Sequence, residues 1–191
     1  MNDIRRAVDF EGQPPVRHEM LESTLADHEL TCCARRAITV LADFWFTILR
    51  EHCNPRREHF HPEQYTSVLQ DMFMLDLLKD GGLRYRLVGT RLAERYPADP
   101  TTWLAGDLGG QWCDNILSRL GRLTLETGAP NIALGYVEPV ISPDPLFASI
   151  AVPLHDVDGK PNIILGAAVL GSRSITKLSP PRRVVNQPLV P

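Results

Sequence analysis

Lys79-Asp80-Gly81-Gly82 constrains this chain more than any other segment. Asp-Gly and Gly-Gly supply the positive φ angles of a tight turn between antiparallel strands. Before the turn, residues 72–78 read as a strand. After it, Leu83, Tyr85 and Leu87 fall on one face of a second strand, and Arg84, Arg86 and Val88 on the other. Gly89 and Thr90 stop that strand, with Thr90 placed to cap a helix beginning near Arg91.

Upstream, residues 31–52 have helical periodicity. Ala34, Ile38, Leu41, Trp45 and Ile48 recur at steps of three and four, and Ala37, Val40, Phe44 and Leu49 widen the stripe. A helix this apolar is covered by two elements or packs against a second copy of itself. Ile38, Leu41, Trp45 and Ile48 are therefore the candidate dimer or partner surface, and a homodimer is expected. Asn54-Pro55 ends the helix. A second helix is predicted from Asn115 to about Thr127, with Gly128 as its stop.

Three more strands follow, over residues 132–140, 147–154 and 162–170. Turns at Ser142-Pro143-Asp144-Pro145 and Asp156-Val157-Asp158-Gly159-Lys160 separate them. The last two strands are apolar on both faces, whereas a sheet with one wet face alternates. The long N-terminal helix, from this chain or a partner, is the element expected to cover the second face.

The string Leu83-Arg84-Tyr85-Arg86-Leu87-Val88-Gly89-Thr90-Arg91-Leu92 resembles the signature of the bacterial PAS-like family labelled PAS_5. The resemblance runs roughly from Phe44 to Gly171. It takes in Phe44-Trp45, Asn54-Pro55-Arg56-Arg57, Val152-Pro153-Leu154 and Leu165-Gly166-Ala167. It implies an α+β fold: a PAS-like five-stranded antiparallel sheet of order 2-1-5-4-3. Helices cover one face around a small pocket, and the N-terminal helix covers the other. The expected organisation is a polar arm over 1–30, the domain over 31–175 and a Pro-rich flexible tail over 176–191. Where similar chains carry a Gly-Arg-Asp-Leu-Thr-Gly-like step after the short helix, this one runs Pro97 to Trp112. That implies an inserted loop beside the pocket.

Of 191 residues, enough to bury a core without disulfides, 43% are hydrophobic. A net charge of −3 with scattered arginine pairs argues against a dedicated nucleic-acid binder. No basic-then-apolar leader and no membrane-spanning run are evident. Cys32, Cys33, Cys53 and Cys113 make neither a CxxC pair nor a disulfide framework. Reduced thiols and a cytoplasmic location are expected.

Catalytic signatures are sparse. No Gly-x-Ser-x-Gly and no GxxxxGK loop occurs. His52, Cys53, His59 and His61 invite a metal reading, but polar loop residues around Pro55 are the favoured account, and no metal is expected. Cys113 reads as a buried structural thiol and offers no flavin photoadduct. Haem is disfavoured, because residues 91–127 contain no histidine to serve as an axial ligand. The cofactor is left unknown. The candidate ligand site is an apolar cavity lined by Tyr85, Leu87, Trp103, Trp112, Leu120 and Tyr136. Arg91, with Arg84 or Arg86, would meet a carboxylate or phosphate there; alternatively these aromatics fill the core and the arginines pair with Asp76, Glu94 or Glu138.

These features point to a stand-alone sensory or regulatory domain without catalysis. Its partners would be a small molecule and another signalling protein, with no nucleic acid and no membrane. Two alternatives stay open. One is an NTF2-like α+β enzyme or binding protein using Asp76 or Glu138 for acid–base work. The other is a ligand-free interaction scaffold.

Overall fold

The computed structural model describes residues 30–106, 112–136, 147–170 and 183–188. Helix α1 spans Cys32–His52, and Thr31 caps it by accepting from the Ala34 amide at 3.2 Å. Three 3-10 turns, Arg57–His59, Pro62–Gln64 and Leu69–Asp71, lead into strand β1, Met72–Leu77. Strand β2 is Leu83–Val88, α2 is Thr90–Ala93 and α3 is Trp112–Thr127. Strands β3, Asn131–Tyr136, β4, Phe147–His155, and β5, Pro161–Leu170, follow. A last strand, β6, is Arg183–Pro188.

All the pairings are antiparallel, and the sheet order is β2-β1-β5-β4-β3-β6. The expected 2-1-5-4-3 order is therefore present, and β6 extends it beyond β3. That strand lies inside the segment 176–191 expected to be a Pro-rich flexible tail. Its residues, Arg-Val-Val-Asn-Gln-Pro, lack a core-forming alternation, and its partner lies about fifty positions upstream, from Asn131↔Pro188 to Tyr136↔Arg183. Pro188 sits at its end, where a missing amide costs least. The arm over 1–29, the turn at 142–145 and Glu138 lie outside the described residues.

The two-faced apolar character of β4 and β5 has a simple cause: helices pack on both sides. On one face α1 lays Ala34, Ile38, Leu41 and Trp45 against Met72, Met74, Ile150, Val152 and Leu165. On the other, α3 lays Leu117 and Leu120 over Phe73, Leu75, Tyr85 and Ile164. The Trp45 indole donates to the buried Pro153 carbonyl at 2.7 Å, tying α1 to β4. The apolar stripe of α1 thus belongs to this chain's own core. That corrects the dimer-surface expectation for Ile38, Leu41 and Trp45, which are almost wholly buried and have no area left for a second copy. Ile48 is partly buried at the margin of the same layer.

The hairpin departs from straight alternation. Tyr85 lies opposite Leu75 but Leu87 opposite Met74, so Arg86 is the extra residue of a β-bulge. Leu87 is thereby turned to the opposite face from Tyr85, at the sheet edge and 38% exposed. Gly166 faces Phe73 across β1 and β5, and a Cβ there would overlap the phenylalanine ring.

Where the chain leaves α1, it meets the end of β4. The His155 amide donates to the Pro55 carbonyl at 2.7 Å, and its Nδ1 donates to the same oxygen at 3.1 Å. Burial holds the His155 imidazole below its ordinary pKa, against the opposing pull of that hydrogen bond. The folded state therefore binds fewer protons than the unfolded chain as pH falls through about 6.5. The His155 contribution is complete above that pH and fades below it. Urea melts are expected to show a midpoint lower at pH 5.5 than at pH 7.5, and His155→Gln is expected to flatten that difference.

Candidate functional site

A polar cluster sits inside the apolar layer between the sheet and α3. Tyr85 points inward from β2 because the bulge falls after it, and it is fully buried. Its hydroxyl donates to Asp114 Oδ1 at 2.8 Å, which leaves the Tyr96 hydroxyl, 3.2 Å away, to donate to Tyr85. Burial first, and then Tyr96 and Asp114, push the Tyr85 hydroxyl far above its ordinary pKa, so it stays a neutral hydroxyl. Asp114, in the first turn of α3 and itself buried, uses its Oδ2 to accept from the Gly106 amide at 2.6 Å. One carboxylate therefore joins β2, the start of α3 and the loop that follows α2.

That loop covers the free edge of β2. Thr102 N donates to Tyr85 O at 2.7 Å, Tyr85 N to Trp103 O at 2.9 Å, and Ala105 N to Leu83 O at 2.8 Å. An exposed edge strand is a template for pairing with another chain, and a covered one is not. The described residues of that loop thus serve as an edge cover. Residues 107–111 lie outside the described residues.

The candidate ligand residues divide among three places. Tyr85 and Leu120 share the buried layer under α3. Trp103 is half-buried and holds β2 through its backbone. Leu87 faces the other way, for the reason given above. Arg91 is turned to the buried Asp71 instead, one guanidinium nitrogen, Nη1, donating to both carboxylate oxygens at 2.9 and 3.1 Å. Burial raises the Asp71 carboxyl pKa, and the Arg91 guanidinium pulls it back. Arg84 and Arg86 both lie against Asp76, at 3.5 and 3.3 Å. All three arginines are thus taken up by carboxylates of the chain itself. Trp112 and Tyr136 lie on α3 and β3, with side chains outside the described residues.

The pattern of residues did not single out Tyr96, Asp114 or Gly106. A usable signal existed: a tyrosine on the inward face of a strand needs a partner for its hydroxyl, and an aspartate at a helix start is well placed to supply one.

A concavity lies on the opposite side of the molecule. An open cleft of ≈ 560 Å³ runs between the outer stripe of α1, at Val40, Asp43, Phe44, Thr47 and Ile48, and the segment from His59 to Ser67. The His52 and His59 rings stack at 4.4 Å, and His61 lines the same cleft. The three histidines are thus brought together, while Cys53 does not line the cleft. His59 Nδ1 accepts from the Arg56 amide at 3.1 Å, so its proton sits on Nε2, and that nitrogen has no lone pair to give a metal.

A family model described as PAS domain, PAS_5, matches residues 34–99. No curated protein matches this chain. Two solved chains do. One, described as "VqmA bound to DPO", is 15% identical with a TM-score of 0.40, over 59% of this chain and 58% of that one. Among the described residues no helix is long and apolar enough to cross a membrane.

Proposed function

We propose that this chain, whose residues 34–99 match the family model described as PAS domain, works as a non-catalytic sensory domain. It binds a small polar ligand under α3 and passes the change to a partner signalling protein. The observation that carries this reading is the Tyr85–Asp114–Gly106 chain of hydrogen bonds. A ligand hydroxyl or carbonyl that replaces one member of that chain frees Gly106. With Gly106 free, the 102–105 segment loses its anchor beside the β2 edge. The exposed edge can then accept a strand from a partner. Ligand and partner would favour the same open arrangement, which is the differential affinity any population shift requires.

Tyr85→Phe tests the coupling. It removes the donor and leaves Asp114 short of one partner, so a loss of about 1–3 kcal/mol in urea unfolding is expected. In a thermal-shift screen of small hydroxy and keto compounds, hits should raise the wild-type melting temperature and leave Tyr85→Phe unmoved. Equal shifts in both proteins would place the ligand elsewhere and defeat the reading.

A further inference from the structure

We propose that the outer cleft along α1 is a separate binding site for a small planar aromatic carboxylate. It lies on the face of the molecule away from Tyr85 and Asp114, and it does not depend on what the interior binds. Its volume of ≈ 560 Å³ is that of a small-molecule site. Two aromatic rings line it: Phe44 meets Tyr65 edge-to-face at 5.6 Å, and the buried Phe60 backs Tyr65 by stacking on it at 5.1 Å. A flat ring gains most against such a wall, through offset or edge contacts.

The polar groups are unevenly placed. His52 and His59 stand at the C-terminal end of α1, and Asp43 is nine residues earlier, about 14 Å back along the axis at 1.5 Å per residue. A ring N–H donor stands at the histidine end of the cleft. At that end His59 is a fixed donor. Its Nδ1 is occupied by the Arg56 amide, so Nε2–H is available to an oxygen in one tautomer only. Glu58 is paired with Arg56 at 3.5 Å, and Glu51 and Glu63 lie 3.9 Å from His52 and 3.6 Å from His61, contacts that are ion pairs only when those rings are protonated.

The probe is 2-naphthoate, titrated into the full chain while the ring C–H resonances of histidine are followed by NMR. Saturable shifts of His52 and His59 are expected, persisting in Tyr85→Phe. His59→Phe keeps a ring on His52 but removes the donor, and should weaken binding roughly tenfold, as for one hydrogen bond to a charged group. Thr47→Trp, which fills the cleft from α1, should abolish the shifts while the unfolding midpoint stays near that of wild type. Absence of saturable shifts at millimolar naphthoate overturns the proposal. So does binding that survives Thr47→Trp, or binding lost in Tyr85→Phe.

Discussion

Trp45→Ala is expected to lower stability by about 3–5 kcal/mol, the cost of emptying a large aromatic site in a packed core. Trp45 is buried where α1 crosses β4, with its ring edge-on to Phe46 at 5.3 Å. The substitution removes that volume and also the indole donor to Pro153. Trp45→Phe separates the two effects. It keeps most of the volume, so a loss of about 1–3 kcal/mol would report mainly the carbonyl left without a partner. Urea denaturation at constant m-value reads both. If the wild-type midpoint were retained in Trp45→Ala, α1 would not be docked on the sheet as described.

Gly89→Ala is the second large effect, about 3 kcal/mol or more. Gly89 ends β2 and opens α2, and its amide donates to the Met72 carbonyl at 2.7 Å. Its φ of −65° suits any residue, so the requirement for glycine comes from space. A Cβ at this position would run into the backbone carbonyls of Leu69 and Gln70. Those atoms belong to the 3-10 turn Leu69–Asp71, which carries the Asp71–Arg91 pair, so the turn cannot move aside without breaking that pair. The expected readout is a lower urea midpoint together with loss of protection at the amides of residues 89 and 93 in hydrogen exchange, which donate to the carbonyls of residues 72 and 89. Gly81→Ala makes the contrast: nothing lies within 4 Å of a Cβ there, and its positive φ of 83° alone sets a smaller cost, about 1 kcal/mol.

Much of the architecture was legible because local chemistry carried it. The Asp80-Gly81-Gly82 turn, the helical stripe from Ala34 and the two-faced strands at 147–154 and 162–170 each state a physical demand that one sheet covered on both sides meets. What stayed hidden depended on distant partners. Periodicity places Ile38, Leu41 and Trp45 on one face of a helix, but it does not say whether a sheet of the same chain or a second copy fills that face. The bulge at Arg86 left no mark, since Leu83-Arg84-Tyr85-Arg86-Leu87 alternates cleanly; only pairing with Met74 and Leu75 shows Leu87 turned away. Strand β6 has no apolar alternation to announce it.

The candidate site was legible in part for the same reason. Tyr85 and Leu120 were found by their type and position, and they share one layer. Asp114 lies 29 residues from Tyr85, and Gly106 lies 8 residues before Asp114, so their hydrogen bonds leave no trace in local spacing. The histidines near Pro55 were visible as a group. Their common cleft was not, because its other wall is the outer stripe of α1, which looked like part of a single broad apolar face.

Native mass spectrometry of the freshly purified full chain tests the sensory reading most directly. The account predicts a folded species carrying one small molecule in excess of the chain mass, released on gentle activation and absent from Tyr85→Phe prepared in the same way. A folded wild-type chain at its bare mass, from every preparation and with no mass gained on exposure to cell extract, would contradict it.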